Sequence, residues 1–190
     1  MSYCVIDTES GSRHESSTLL TVCFLVLNAE TFVEEGMLDL KLRPDADEHY
    51  VVDAQGMRVN RINLVEHDNH AITCKQAKPI VYEFLKKHGS VKRLVPVGHA
   101  IKGDLNRITD HLISFGSWEQ FCTYHFIDTS VILQYLRICD KMSYEIDGSV
   151  EGIAKYFNIK VNLDELHTAV YDTRLTAEIF HKMVDIGING

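Results

Sequence analysis

Four carboxylates of this 190-residue chain fall where predicted strands end or predicted helices begin. Asp7 and Glu9 lie at the exit of the first apolar run, and in extended backbone a spacing of two places both side chains on one face. Asp104 lies in the first turn of a predicted helix that follows a strand at residues 94–97, and Asp172 lies in the last predicted helix. Because the carboxyl ends of strands in an open α/β sheet meet in one crevice, we expect these four groups to gather there.

Such a group of carboxylates would repel itself strongly unless hard divalent cations neutralised it. His167, five residues before Asp172, adds an imidazole, which can exchange a proton near neutral pH. Each feature alone also has a purely structural interpretation. A D-x-E at a strand end is typical of a solvated turn, Asp104 suits a helix N-terminus, and His167 suits a surface or capping position. The combination, rather than any single residue, indicates a functional site.

Composition excludes several classes of protein. Hydrophobic residues make up 45% and charged residues 24% of the chain, which is typical of a globular protein. The longest apolar run, residues 19–27, is far shorter than the ~20 residues of a membrane span, and no signal-peptide pattern opens the sequence. A net charge of −8 disfavours a non-specific duplex binder. Five scattered cysteines without metal-binding spacing predict reduced thiols in a cytoplasmic protein.

Hydrophobic periodicity predicts an α/β fold in which strands come first and then alternate with helices. No linker or repeat divides the chain, so residues 1–190 are predicted to form a single domain. Residues 8–17 are predicted to be a loop, and residues 44–73 are assigned no element. The predicted strands are 2–6, 18–27, 36–42, 94–97 and 124–127. The predicted helices are 74–88, 101–115, 130–139, 150–157 and 168–186.

Three segments resemble, in order, the three motifs of the DEDD 3′→5′ exonucleases. Residues 4–11 (CVIDTESG) resemble the first motif, a hydrophobic strand followed by D-x-E and small residues. Residues 97–105 (VGHAIKGDL) resemble the second motif, G-H-N-x-x-F-D. Residues 167–172 (HTAVYD) resemble the third motif, H-x-A-x-x-D. Three motifs in the family's order are a specific signal.

The histidine of the third motif makes the chain similar to the DnaQ-like, RNase T-like (DEDDh) branch of this family. Thr168 stands where the tyrosine branch has tyrosine, four residues before Asp172. Residues 59–62 resemble the family's V-H-G-I segment. Residues 128–129 resemble its D-T pair, whose aspartate we assign to capping the next helix rather than to a metal. The resemblance extends over residues 3–183.

The resemblance implies a ribonuclease H-like α/β fold, with a five-stranded mixed sheet flanked by helices. It implies hydrolysis of the 3′-terminal phosphodiester of single-stranded nucleic acid, releasing nucleoside 5′-monophosphates with the help of two Mg²⁺ or Mn²⁺ ions. In that mechanism Asp7 would bridge the ions. Glu9, Asp104 and Asp172 would complete their coordination. His167 would take a proton from the attacking water.

The second motif departs from the family pattern at two positions. Ala100 stands where the family has asparagine, and Gly103 stands where it has an aromatic residue. Both departures concern the positioning of substrate rather than the metal ligands. Without the aromatic ring, Lys102 at the start of the same helix either reaches a substrate phosphate or stays a solvated surface residue. The predicted substrate-binding residues are Thr8, Ser10, Asn60 and Lys102.

Two other functions are compatible with the same residues. The first is a nucleic-acid-binding or polymerase-associated module that has this fold but weak catalysis. The second is a metal-dependent phosphohydrolase acting on small nucleotides, or a nuclease of different geometry. The partners implied by the exonuclease hypothesis are the 3′ end of single-stranded DNA or RNA and, in addition, a polymerase or a second copy of the chain, with no membrane. Sequence does not choose between DNA and RNA, since that discrimination depends on contacts to the 2′-hydroxyl.

Overall fold

The computed structural model describes residues 1–14 and 16–189, and within these residues the chain forms six strands and eight helices. The strands are β1 (Ser2–Ser10), β2 (Leu19–Asn28), β3 (Glu34–Arg43), β4 (Ile72–Thr73), β5 (Val95–Gly98) and β6 (Ile127–Asp128). The helices are α1 (Ala54–Asn60), α2 (Leu64–His70), α3 (Cys74–Gly89), α4 (Lys102–His111), α5 (Phe115–Phe121), α6 (Thr129–Ile138), α7 (Val150–Tyr156) and α8 (Ala169–Asn189).

The strands form one mixed sheet in the order β4-β3-β2-β1-β5-β6. Strands β1, β2 and β3 pair antiparallel as consecutive hairpins, while β5 and β6 run parallel to β1 after helical crossovers. The α/β class and the mixed sheet are confirmed, but the prediction of five strands was one too few. The additional strand, β4, has two residues and pairs parallel with the end of β3. A strand so short has no alternation that a sequence pattern could reveal.

Burial explains why β1 and β2 lie at the centre of the sheet. Cys4, Val5 and Ile6 are buried, and β2 is buried at nearly every position, because helices cover both faces of these strands. Helix α8 packs across β1 and β2 on one face, and α3 packs against β3 on the other. This packing brings the start of α8 to the C-terminal end of β1.

Several predicted boundaries were wrong. Strand β1 continues to Ser10 through residues predicted to be a loop, because Thr8 and Glu9 pair with Val22 and Thr21 of β2. The predicted helix 101–115 ends at His111, and a separate helix begins after Ser114, whose hydroxyl accepts from Ser117 N. The predicted strand 124–127 is reduced to β6, which shares only Ile127 with it.

The unassigned region 44–73 contains two short helices and β4. Asp53 caps α1 by accepting from Gly56 N, and Asn63 caps α2 by accepting from Val65 N. All five cysteines are free, as predicted. Among the described residues, no helix is both long enough and apolar enough to cross a bilayer.

Candidate active site

Asp7 and Glu9 lie on the last half of β1, so the D-x-E pair is within the strand rather than after it. Their partners on β2 are Cys23 and Thr21. Side chains two apart on a strand project to the same face, and both carboxyl groups are partly buried. Because β1 extends beyond its apolar residues, pairing with β2 fixes the backbone that carries the two carboxylates.

Asp104 is connected directly to the same strand. Because β5 runs parallel to β1, with Val97 beside Val5, the chain leaves β5 at the edge of the sheet that carries the D-x-E pair. It then enters α4, whose first turn contains Asp104. Oδ1 of Asp104 accepts two hydrogen bonds from Thr8, one from the hydroxyl at 2.5 Å and one from the backbone N–H at 3.1 Å. The first and second motifs are thus bonded to each other.

Asp172 and His167 come from the start of α8. His167 precedes the helix in a left-handed conformation with φ of 66°, and its backbone N–H donates to Oδ2 of Asp172 at 3.1 Å. Potential ligand atoms of Glu9, His167 and Asp172 all lie within 4.8 Å of one another. The third motif therefore meets the first, and Asp7, Glu9, Asp104, His167 and Asp172 form what we call the carboxylate cluster.

Burial and the neighbouring acids raise the pKa values of Asp7 and Glu9. Burial, followed by repulsion from Asp104, Glu9 and Asp172, raises the pKa of Asp7 well above its ordinary value. Burial raises the pKa of Glu9 to about 8, with further contributions from Asp172 and Asp104. In the absence of cations, these two groups therefore hold protons at pH values where exposed carboxyl groups are ionised.

The pKa values of Asp104 and Asp172 rise less than that of Glu9, because interactions with Thr8, Arg107 and His167 favour the charged carboxylates. Burial raises the pKa of Asp104 to about 6, against lowering contributions from the Thr8 hydrogen bonds and from the Arg107 charge. Burial raises the pKa of Asp172 to about 6, against a lowering contribution from His167. The four carboxylates together form a strongly acidic cluster whose fully ionised state needs compensating positive charge.

The donor atoms of this cluster fit divalent cations. Oδ2 of Asp7 and Oδ1 of Asp172 are buried and have no hydrogen-bond partner among the described residues. Likewise, none of the four carboxylates forms an ion pair with a described lysine or arginine. Buried anionic oxygens without partners are costly unless a cation binds them, and carboxylate oxygens are the ligands that Mg²⁺ and Mn²⁺ prefer.

Three of the four predicted substrate-binding residues lie at the end of β1 or contact it. Thr8 and Ser10 line a cavity beside Asp104, and Ser10 also lines a second cavity beside Glu9. Asn60 is buried, and its amide donates to Ser10 O at 3.0 Å and accepts from Ile62 N at 3.1 Å, so it connects α1 to the end of β1. Lys102 is exposed and is not among the residues found to line either cavity.

The two departures in the second motif have visible consequences. Ala100 adopts φ of 53°, a left-handed conformation that asparagine tolerates better than alanine. Its N–H donates to Oδ1 of Asp128, which also caps α6 by accepting from Ser130 N. Asp128 therefore has the structural role expected of it. A Cβ at Gly103 would meet nothing within 4 Å, so the space next to this glycine is open.

Two arginines near the cluster were not singled out in the sequence. Arg13 and Arg107 line the cavity beside Asp104. Arg107 follows Asp104 by three residues on α4, a spacing of nearly one helical turn that places both side chains on one face of the helix. This spacing is the signal in the sequence that would have indicated Arg107. Arg13 lies in the loop after β1, where no periodicity predicts a direction for the side chain.

Comparison with known proteins gives matches in structure alone. No protein-family sequence profile matches the chain, and no curated protein sequence matches it. Exonuclease I of E. coli in complex with a dT13 oligonucleotide superimposes with a TM-score of 0.75 at 13% identity, covering 97% of this chain and 40% of that one. This chain thus spans about two-fifths of the length of that exonuclease.

Two further nucleases have the same architecture. Cell-death related nuclease 4 (CRN-4) matches with a TM-score of 0.75 at 10% identity, covering 98% of this chain and 64% of that one. Exonuclease X in complex with 5′ overhanging duplex DNA matches with a TM-score of 0.61 at 16% identity, covering 96% and 91%. The resemblance found in the motifs is therefore confirmed at the level of the fold: the chain has the ribonuclease H-like fold of these exonucleases.

Proposed function

We propose that residues 1–190 form a single metal-dependent 3′→5′ exonuclease domain of the DEDDh type. It would hydrolyse the 3′-terminal phosphodiester of single-stranded nucleic acid and release nucleoside 5′-monophosphates. The observation that carries this proposal is the convergence of one imidazole and four carboxylates, from three distant segments, in a fold shared with exonucleases. None of these carboxylates forms an ion pair with a described lysine or arginine.

Asp7, Glu9, Asp104 and Asp172 are the residues that would hold two Mg²⁺ or Mn²⁺ ions. The unpartnered Oδ2 of Asp7 and Oδ1 of Asp172 support their assignment as ligands. When bound, divalent cations supply charge neutralisation and a Lewis acid for phosphodiester hydrolysis. They also allow an acidic chain to approach a polyanion, since the charge of the ions dominates the local field.

The remaining residues position these groups and move a proton. The His167 imidazole lies beside Glu9 and Asp172, and we assign to it the removal of a proton from the attacking water. Its backbone N–H orients the Asp172 carboxylate, while Thr8 orients the Asp104 carboxylate. Both interactions limit rotation of the carboxylates, which keeps the cluster preorganised.

A nucleic acid substrate is supported by the similar structures. Exonuclease I was solved with a DNA oligonucleotide and exonuclease X with 5′ overhanging duplex DNA. The cavity beside Glu9, of about 350 Å³, extends from the end of β1 to α1 and is large enough for a nucleoside. We therefore assign the 3′-terminal nucleoside to this cavity.

An end-labelling experiment tests this proposal. One single strand carries the label at its 5′ end and a second copy carries it at its 3′ end, and each is incubated with the protein in Mn²⁺ or in EDTA. We expect a ladder of shortening products from the 5′ label, labelled mononucleotide from the outset with the 3′ label, and no reaction in EDTA. A circular single strand, which has no end, should remain intact.

Other outcomes favour the competing functions. Binding of the strand without any cleavage would favour a catalytically weak binding module. Hydrolysis of small nucleotides without cleavage of the strand would favour a phosphohydrolase. Cutting of the circular strand would contradict an exonuclease. Matched DNA and RNA strands in the same assay determine which of the two is the preferred substrate.

A further inference from the structure

The cavity beside Asp104 differs chemically from the carboxylate cluster that it adjoins. We call it the Gly103 cavity; it has a volume of about 350 Å³ and opens to solvent between the end of β1 and the first turns of α4. One carboxylate contributes to its wall, and two guanidinium groups face it. The described residues that line it are Thr8, Ser10, Arg13, Gly103, Asp104, Asn106 and Arg107.

Arg107 is held in place by the loop that follows β1. Its Nη2 donates to Ser12 O at 3.0 Å, and its side chain is partly buried. Asp104, three residues earlier on α4, lines the same cavity as Arg107. This one hydrogen bond leaves several of the five guanidinium N–H donors free for another acceptor.

Arg13 reaches the same cavity from the loop itself and is exposed. Within the part of the chain that the structure describes, neither Arg13 nor Arg107 forms an ion pair with a carboxylate. In a chain of 27 acidic and 19 basic residues, two arginines that form no ion pair with a described carboxylate give this cavity a local positive charge beside the acidic cluster. Arginine suits phosphate because its planar guanidinium donates two parallel hydrogen bonds.

Gly103 leaves this space open. A Cβ there would contact nothing within 4 Å, so the wall of the cavity carries no side chain at this position. A group bound in the cavity would therefore lie directly beside Asp104, next to the position of the scissile bond in the proposed reaction. In a polynucleotide, the charged group adjacent to the scissile phosphodiester is the next phosphodiester of the same strand.

We propose that the Gly103 cavity binds a phosphodiester of the substrate strand next to the scissile one, through Arg13 and Arg107. This inference rests on the proposed exonuclease function and extends it by naming two positioning residues. It accounts for how a chain without the aromatic ring of the second motif holds its substrate: charge pairing replaces stacking. Such a contact recognises the backbone and is insensitive to base sequence.

Binding measured across a salt series tests the inference. The probe is a fluorescently labelled single strand, titrated in Ca²⁺ to prevent turnover, with wild type, Arg13→Gln, Arg107→Gln and Arg93→Gln. Each phosphate contact on a single strand contributes about 0.7 to the slope of log K against log salt. We expect the first two variants to lower the slope by about 0.7 and to weaken binding of all base sequences alike.

The control variants separate a direct phosphate contact from a general loss of charge and from a disturbed loop. Arg93 is exposed and precedes β5 at the opposite edge of the sheet, so Arg93→Gln should keep the wild-type slope. Because Arg107 also bonds Ser12, its variant alone could act through the loop; Arg13 has no described hydrogen bond and provides an independent test. Parallel slopes for all four proteins would overturn the inference.

The outcome also separates the inference from the proposed function. If the wild type degrades strands from the 3′ end in Mn²⁺ but the slopes are parallel, the exonuclease proposal stands and the phosphate contact is wrong. If the wild type neither binds nor cleaves the strand, both are wrong. A change in the Mn²⁺ concentration needed for activity, without a change in slope, would mean that Arg107 serves Asp104 rather than the substrate.

Discussion

The Thr8 hydroxyl donates to Oδ1 of Asp104 at 2.5 Å, and the Thr8 backbone N–H donates to the same oxygen at 3.1 Å. These two bonds join β1 to α4 across 96 residues of sequence. Because both bonds favour the charged carboxylate, they oppose the rise of its pKa that burial causes. Thr8 was predicted to contact substrate, and the structure gives its hydroxyl a partner within the cluster.

Thr8→Val removes the hydroxyl at nearly constant volume. The backbone N–H remains, but Asp104 becomes less well oriented and harder to ionise, so we expect the Mn²⁺ concentration for half-maximal cleavage to rise about 10-fold. Thr109→Val is the matched control, since that hydroxyl bonds the carbonyl of Leu105 on the same helix and is remote from the cluster. An unchanged metal requirement in Thr8→Val would mean that this bond does not prepare a metal ligand.

His167→Ala should reduce the rate of cleavage by ~10²–10⁴ if the imidazole takes the proton from water. The increase in melting temperature caused by Mn²⁺ should be retained, because the four carboxylates remain. His167→Asn is a useful second variant: asparagine tolerates the φ of 66° at this position but cannot act as the base. Loss of the thermal gain in both variants would instead make His167 a metal ligand.

The raised pKa of Glu9 predicts an unusual pH dependence of stability. Between its ordinary value of 4.5 and its folded value of about 8, the folded protein binds more protons than the unfolded chain. The free energy of unfolding of the metal-free protein should therefore fall as pH rises through this window. Glu9→Gln removes this pH-dependent loss of stability. Its melting temperature relative to that of wild type should therefore increase with pH, by about 2–4 °C for each kcal/mol of difference in the free energy of unfolding.

Thermal unfolding in EDTA at pH 5 and pH 8 measures this effect. Asp110→Asn, which removes an exposed carboxylate two turns along α4, should show no such trend. In saturating Mn²⁺ the difference between wild type and Glu9→Gln at pH 8 should reverse, because the ionised glutamate then has a cation. A Glu9→Gln difference that is constant from pH 5 to pH 8 in EDTA would contradict the raised pKa.

Replacing the two glycines of the second motif by alanine should change the free energy of unfolding in opposite directions. A Cβ at Gly103 meets nothing and the residue is exposed in α4, so Gly103→Ala should increase the free energy of unfolding by about 0.4–1 kcal/mol. A Cβ at Gly98 would lie 2.8 Å from the buried side chain of Ile101, so Gly98→Ala should decrease it by about 1–3 kcal/mol. Urea denaturation measures the free energy of unfolding of both variants. The same change in both would contradict the difference in packing at the two positions.

The sequence predicted that the residues of the carboxylate cluster lie near one another, and their catalytic and metal-binding roles stay predictions. The D-x-E spacing places Asp7 and Glu9 on one face whether they end a strand or follow it, and Asp104 lies in a first turn wherever α4 ends. The continuation of β1 to Ser10 was not predictable, because polar residues there are held in the strand by pairing with β2 rather than by their own propensity.

The elements that sequence missed are short ones. Helices α1, α2 and α5 have seven residues each, too few for a clear helical period, and β4 has two. The Gly103 cavity could not be predicted from the sequence either, because it forms where Arg13 of a loop and Arg107 of α4 line the same space. A polymerase or a second copy of the chain as partner stays a prediction.

The most direct test of the central claim compares Asp7→Asn with Asp110→Asn. Each is incubated with a 5′-labelled single strand in Mn²⁺, and the rate of 3′ shortening is measured together with the Mn²⁺-induced change in melting temperature. Wild type and Asp110→Asn should shorten the strand and gain thermal stability from Mn²⁺. Asp7→Asn should lose nearly all activity and most of that gain. Full metal-stimulated shortening by Asp7→Asn would contradict the assignment of the carboxylate cluster as the catalytic metal site.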